Sequence, residues 1–349
     1  MRRKIVSPRL LLLGYGNVAQ AFLPLLASRR AWLEQELGIW PLITGIGSRR
    51  TGFVIHPTGI AADMLVAGPD PLQMLQESGK RSSGAADFIQ AGRAAGANIL
   101  LELTTMNPQD GEPALSYIRQ AMQLGMDVIT ANKGPVAHAA EMLQTLAGQQ
   151  NVQLRYESAV MDGLPLLNLA QFTLPAVGMR GFRGLLNNTS SIVLGQMEQG
   201  KALDDAIRLA QQMGIAEANP WHDLDGWDAA MKTTILANAL LDARLAPHMV
   251  QRSGLRDLSQ AEVIAAARAG TPIRLVGSAQ LTEGVLTAVV RPERLTPGDT
   301  LFSGKDIGII SLETEAMGVI TLTEHATSVV QTAYGVLSDL IIIQRAALF

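Results

Sequence analysis

An α/β fold is predicted for this chain: a doubly wound parallel sheet, then a second α+β domain with a mixed sheet. Three observations predict it. Through residues 1–150, short apolar runs of strand length alternate with segments of helical periodicity. Apolar strands of that kind belong to parallel sheets covered by helices on both faces. From residue 151 onward, strand-like runs follow one another with few helices between them, the pattern of a mixed or largely antiparallel sheet. Finally, 349 residues at 48% hydrophobic and 17% charged can fill the cores of two domains. The expected division is 1–150, with 325–349 packing back onto it, and 151–324.

Charge and cysteine content narrow the function. A net charge of −3 and a pI near 6.0 argue against nucleic-acid or anionic-membrane partners. With no cysteine, a disulfide framework, a thiolate nucleophile and a cysteine-ligated metal are excluded. Met1-Arg2-Arg3-Lys4 followed by Leu10–Leu13 imitates a signal peptide, but the apolar run stops at Gly14. No run of about 18 apolar residues offers a membrane span. The reading is a soluble, cytoplasmic protein.

Residues 9–13 form the first strand, and Gly14-Tyr15-Gly16-Asn17-Val18-Ala19 follows at once, opening a helix at 20–37. Strand, G-x-G-x-x-A, helix is the order a Rossmann-type dinucleotide site needs. Gly14 permits the tight turn, Gly16 lets the backbone approach a pyrophosphate, and Ala19 allows close strand–helix packing. The helix N-terminus favours the anion. A second strand at 40–46 ends in Gly47-Ser48-Arg49-Arg50. An acidic residue there would take the ribose 2′-hydroxyl of NAD, whereas arginine accommodates the 2′-phosphate of NADP. Ser48, Arg49 and Arg50 therefore point to NADP, with an ordinary basic loop as the alternative.

The Gly-, Pro- and Ser-rich stretch 52–83 reads as a mobile flap or an elaborated crossover, with a helix at 71–78. Alternation resumes with a helix at 87–95, a strand at 98–103, a helix at 111–124, a strand at 127–130 and a helix at 136–149. Ligands sit beyond the carboxyl ends of such strands. Thr104, Thr105 and the segment Thr130-Ala131-Asn132-Lys133 are thereby placed at the active edge.

In the second half a strand is expected at 152–157, a turn at 160–165 and a helix to 172. A strand at 180–186 and helices at 192–198 and 202–213 follow. The stretch 215–237 gathers Glu217, Asp223, Asp225 and Asp228, and its later part is helical, so Asp228 and Lys232 stand four apart on one face. From this stretch alone, a solvated loop with a surface ion pair is the simpler reading. Strands at 273–276, 286–290, 306–311 and 318–322 and an apolar helix at 332–344 close the chain. The five histidines, at 56, 138, 222, 248 and 325, lack metal-like spacing and are read as structural or solvated.

Taken together the motifs resemble the homoserine dehydrogenase family, in its short form without an appended regulatory (ACT) domain. The resemblance rests on GYGNVA near the start, TANKGP at 130–135, YESAVMDGLPLL at 156–167 and GLLNNTSSIVL at 184–194. MGIAEANPWHDLDGWDAAMK at 213–232 and TAYGVLSDL at 332–340 complete it. It implies reversible hydride transfer between NADP or NAD and a small substrate, interconverting L-homoserine and L-aspartate 4-semialdehyde in threonine and methionine biosynthesis. Lys232 matches the lysine that handles the proton on the substrate oxygen, and Lys133 a second active-site lysine near the nicotinamide. Glu217 matches the residue binding the substrate amino group, Asp228 a further acid of the site, and Asp223 adds to the acids suited to that ammonium. Thr104, Thr105 and Gly214 match cofactor-contacting positions. A monovalent cation such as Na+, held by backbone carbonyls around Glu157, Val160 and Leu164, and a homodimer formed through the second domain's sheet are also implied.

The chemistry of the residues agrees. Reducing an aldehyde creates a developing alkoxide, which a proton-donating lysine stabilises. The chain departs from the family pattern at Asn187-Asn188-Thr189-Ser190-Ser191, at Asn219, at Met161-Asp162 and at Glu324-His325-Ala326-Thr327-Ser328. Those departures leave two alternatives: a related dehydrogenase acting on another small amino alcohol or aldehyde, or a catalytically weak dinucleotide-binding protein.

Overall fold

A computed structural model describes residues 7–68, 70–302, 308–325 and 327–348. The basic start at 1–4, the first two residues of the strand expected at 306–311 and Ala326 lie outside the described residues. The chain divides into two compact units, Met1–Pro165 with Ser328–Phe349, and Leu166–Thr327.

The first unit is built on β1 (Arg9–Leu13), β2 (Leu42–Ser48), β3 (Gly52–Ala61), β4 (Lys80–Ser82), β5 (Ile99–Glu102), β6 (Asp127–Thr130) and β7 (Leu154–Arg155). Their order in the sheet is β4-β3-β2-β1-β5-β6-β7. Strands β1, β2, β5, β6 and β7 pair parallel, while β3 pairs antiparallel with both β2 and β4 and so runs against the rest. The successive side chains of β1 explain the double winding, since a strand's residues alternate between faces. Leu10 and Leu12 enter one core, with Phe22, Leu26, Val336 and Leu340, while Leu11 and Leu13 enter another, with Phe88, Ile118 and Leu143. Leu340 and its neighbours belong to the helix Val329–Leu348, which packs along the helix Asn17–Ser28.

Three expectations are corrected here. The stretch 52–83 is not a flap: it elaborates the crossover with β3 and β4 around the helix Pro71–Ser78, which lies where it was expected. Its strand is hard to read because the register jumps from Ile43–Ile60 to Gly45–Ile55. His56, Pro57, Thr58 and Gly59 bulge out opposite Thr44, which gives a residue lacking an N–H a place in a strand. The helix expected at 20–37 is two, Asn17–Ser28 and Arg30–Leu37, parted at Arg29. The boundary expected at 150 moves to 165, because β7 pairs with β6 (Val128 opposite Leu154) and extends the first sheet.

The second unit holds β8 (Met179–Leu185), β9 (Gln251–Arg252), β10 (Ile273–Thr282), β11 (Val285–Arg294), β12 (Gly308–Thr314) and β13 (Gly318–Glu324), in the order β13-β12-β8-β10-β11-β9. The pairings are antiparallel apart from β11 with β9, so the sheet is mixed. Helices Asn188–Glu198, Trp227–Leu240 and Gln260–Arg268 pack against β10. Gly277 allows the second of these to come close: a Cβ there would stand 2.6 Å from the Thr233 hydroxyl. On the other face lies a small cluster of Leu185, Val276, Leu295, Leu301 and Ile309.

Candidate active site

In the first unit, β1 ends where the chain must turn under its neighbour. Gly14 has φ +103, and a Cβ on it would collide with the Leu103 carbonyl. Its N–H donates to the Gly47 carbonyl at 2.7 Å, tying the turn to the end of β2. Gly16 is the N-cap of the helix Asn17–Ser28, has no side-chain cap, and a Cβ placed on it meets nothing within 4 Å. The first turn of that helix therefore presents its N–H groups to open space.

That space is a cavity of about 630 Å³ at the carboxyl edge of the sheet. It brings together the sequence-predicted Gly14, Gly16, Asn17, Ser48, Arg49, Arg50, Thr104 and Thr105. Val18 and Ala19 instead turn toward the core. Sequence reasoning missed Phe53, Leu72, Pro113 and Tyr117, which supply apolar wall, and Tyr15 and Asp70. Burial first, then the nearby Asp70 charge, push the Tyr15 phenol above its ordinary value. The Ser48 hydroxyl is engaged locally: it lies 2.7 Å from Thr51 Oγ1 and accepts from the Thr51 N–H. Arg49 and Arg50 are exposed at the rim. The glycine turn, the uncapped helix start, the flat apolar wall and the two guanidiniums fit a dinucleotide.

Beneath Thr104 sits Glu102, the fully buried last residue of β5. One carboxylate oxygen accepts from both the Thr104 N–H and its hydroxyl, and the other accepts from Thr130 Oγ1 at 2.8 Å. Thr130 Oγ1 in turn accepts the Asn132 N–H, and Asn132 Oδ1 caps the helix that opens at Lys133 by accepting the Gly134 N–H. One acid thus ties a pocket-lining threonine to the start of the Lys133 helix. Burial pushes its pKa up, opposed by the hydrogen bonds from Thr104 and Thr130. The signal was in the sequence, since Glu102 ends an otherwise apolar strand at the ligand edge. Lys133 itself is half-buried on that helix and does not line the cavity.

Glu157 and Val160 are buried in the turn following β7, and Leu164 closes the next turn through its N–H to the Met161 carbonyl, 2.8 Å. Among the described residues, no cluster of three or more His, Cys, Asp or Glu side chains could hold a metal. A cation at this turn would rest on main-chain oxygens.

The second unit holds a separate constellation. Asp228 and Lys232 lie one turn apart on the helix Trp227–Leu240, both largely removed from solvent, with Asp228 Oδ2 3.3 Å from Lys232 Nζ. Lys232 Nζ also donates to the Leu186 carbonyl at 2.6 Å. The surface ion pair of the simpler sequence reading is thus replaced by a buried pair seated on the end of β8. Of the ammonium's three donors, these two oxygens engage two, leaving one for a further oxygen.

Glu217 is exposed and Asp223 half-buried, and among the described residues neither carboxylate has a hydrogen-bond or ion-pair partner. The loop between them and the helix is pinned by Asp225. Asp225 takes a two-pronged bond from Arg256 at 2.7 and 2.8 Å, while Arg256 stacks on Trp221 and Arg252 on Trp227. Asp225, one of the acids of the solvated loop in the simpler sequence reading, anchors the loop. Gly214, with φ +72, ends the helix Leu203–Gln212 and is fully in this unit.

Comparisons with known proteins show the family. A family model described as homoserine dehydrogenase matches residues 165–341. A protein of Pseudomonas canavaninivorans named NAD(+)-dependent homoserine dehydrogenase is 36% identical over 97% of both chains. A homoserine dehydrogenase of Sulfurisphaera tokodaii is 30% identical over 97% of this chain and 100% of its own. Among solved structures, a homoserine dehydrogenase of Thermoplasma acidophilum superposes with a TM-score of 0.80 at 25% identity, covering 97% of this chain and 100% of that one. The chain belongs to the homoserine dehydrogenase family, NAD(P)-dependent oxidoreductases acting on a CH–OH group.

Proposed function

We propose that the protein is an NADP-linked homoserine dehydrogenase interconverting L-homoserine and L-aspartate 4-semialdehyde, as a homodimer in the cytoplasm, within threonine and methionine biosynthesis. The observation that carries the reading is the seating of Lys232 between Asp228 and the Leu186 carbonyl, with one N–H left over. Nicotinamide, when bound, supplies and accepts the hydride. As negative charge develops on the aldehyde oxygen, the remaining N–H of Lys232 donates to it and delivers the proton that completes the alcohol. Asp228 holds the ammonium in place. Glu217, with Asp223, takes the substrate's α-ammonium. Lys133, at the start of its helix, adds positive charge at the edge where the dinucleotide lies. Gly14, Gly16, Asn17, Thr104 and Thr105 form the cofactor's seat, with Val18 and Ala19 packing the helix behind it, and the turn of Glu157, Val160 and Leu164 takes a monovalent cation.

Support for NADP comes from Arg49 and Arg50 on the cavity rim, where a 2′-phosphate would find two guanidiniums. A second reading, NAD as the working cofactor, is favoured by Asp70 on the same cavity and by the NAD(+)-dependence named for the P. canavaninivorans relative. An acid there suits a ribose hydroxyl and repels a phosphate. Saturation curves for both cofactors with homoserine separate the readings. A higher kcat/KM for NADP supports the first, and one for NAD the second.

A further inference from the structure

We infer that Asn187 is a positioning residue for the Asp228–Lys232 pair, setting how firmly the carboxylate holds the ammonium. The inference rests on the proposed function, and its ground is a side chain fixed at both ends. Asn187 is buried at 4% exposure on the turn between β8 and the helix Asn188–Glu198. Its Oδ1 accepts the Ser190 N–H at 2.8 Å, capping that helix. This uses up the amide's rotation and aims Nδ2 at Asp228 Oδ2, 3.0 Å away.

The oxygen it reaches is the one that faces Lys232 Nζ at 3.3 Å. That separation is longer than the roughly 2.7–2.9 Å of a tight charge-assisted bond. Two donors sharing one oxygen each bind it less closely. Because an amide carries no charge, it competes for Oδ2 without changing the net charge of the pair, which no lysine or arginine at 187 would do. The neighbouring Leu186 carbonyl holds the ammonium from the other side at 2.6 Å. One short turn therefore supplies both the acceptor that seats Lys232 and the donor that restrains Asp228. Without the amide, Asp228 swings fully onto the ammonium and draws its N–H groups away from the substrate oxygen.

Asn187→Ser separates this role from the cap. Serine caps a helix about as well as asparagine but is too short to reach Asp228. Asn187→Thr likewise keeps a capping oxygen and has no donor within reach of Asp228. In homoserine oxidation both variants should keep a near-wild-type Tm and an unchanged dinucleotide Kd. Their kcat should fall about ten- to a hundredfold, the range for a hydrogen bond to a charged group. The same Asn187→Ser change in an Asp228→Ala background should cost nothing further, since the amide acts through Asp228. Wild-type kcat in either variant overturns the inference. So does a loss that recurs in full in the Asp228→Ala background, because that is the signature of a purely structural role. Absence of homoserine turnover by the wild-type protein overturns the functional reading itself, and the positioning role with it.

Discussion

Asp228 Oδ2 stands 3.3 Å from Lys232 Nζ, one helical turn along, with both side chains mostly sealed from solvent. A buried charge that loses its partner is costly, so the two are expected to fail differently. Lys232→Ala should abolish turnover with cofactor affinity kept. Asp228→Asn should leave binding of the dinucleotide intact and lower kcat about tenfold or more, as expected for losing one charge-assisted contact. Steady-state kinetics beside dinucleotide titrations check both, and near-normal turnover in Lys232→Ala contradicts the assigned role.

The rim arginines are expected to serve the 2′-phosphate. Arg49→Ala with Arg50→Ala should raise the Kd for NADP about ten- to a hundredfold and leave that for NAD nearly unchanged, since only NADP carries the phosphate. Equal weakening of both cofactors removes the argument.

How much of this was legible in the sequence differs between the units. Glycine spacing after an apolar strand marks Gly14, where φ +103 under the Leu103 carbonyl excludes a side chain, and Gly16, which opens the uncapped helix. Spacing of four on a helix likewise brings out Asp228 with Lys232. By contrast, β3 was hidden by a bulge that absorbs Pro57 and Gly59, a feature set by pairing with β2 rather than by local pattern. Glu102, Asn187 and the Arg256–Asp225 clamp were also missed, because each works through a partner at least 28 positions away or in another element.

Gly14→Ala should destabilise the first unit by about 2–4 kcal/mol, from a strained positive φ and a forced clash with the Leu103 carbonyl. Thermal unfolding measures it, and an unchanged Tm would show that the turn can relax.

The raised pKa of Glu102 makes stability depend on pH in a definite direction. A carboxyl whose folded value exceeds its unfolded value binds the proton more tightly when folded. Its contribution is complete below the unfolded value and is lost as pH rises through the folded one. Glu102→Gln, neutral at every pH, should therefore gain Tm relative to wild type as pH rises above the ordinary carboxylate range. A Tm difference constant across pH contradicts the assignment.

Asp225 and Arg256 should matter to substrate rather than to folding. Arg256→Ala frees the loop carrying Asp223 and loses the stack on Trp221, while its exposed, solvent-screened ion pair adds little to stability. The expected result is a raised KM for homoserine with little change in Tm or in the dinucleotide KM. Unchanged KM values would reduce the clamp to a surface contact.

The most direct test of the whole account is homoserine-dependent reduction of NADP and NAD by the folded wild-type protein, followed by the absorbance of the reduced nicotinamide. Turnover should require homoserine and disappear in Lys232→Ala. Dinucleotide binding without reduction of either cofactor by homoserine would contradict it.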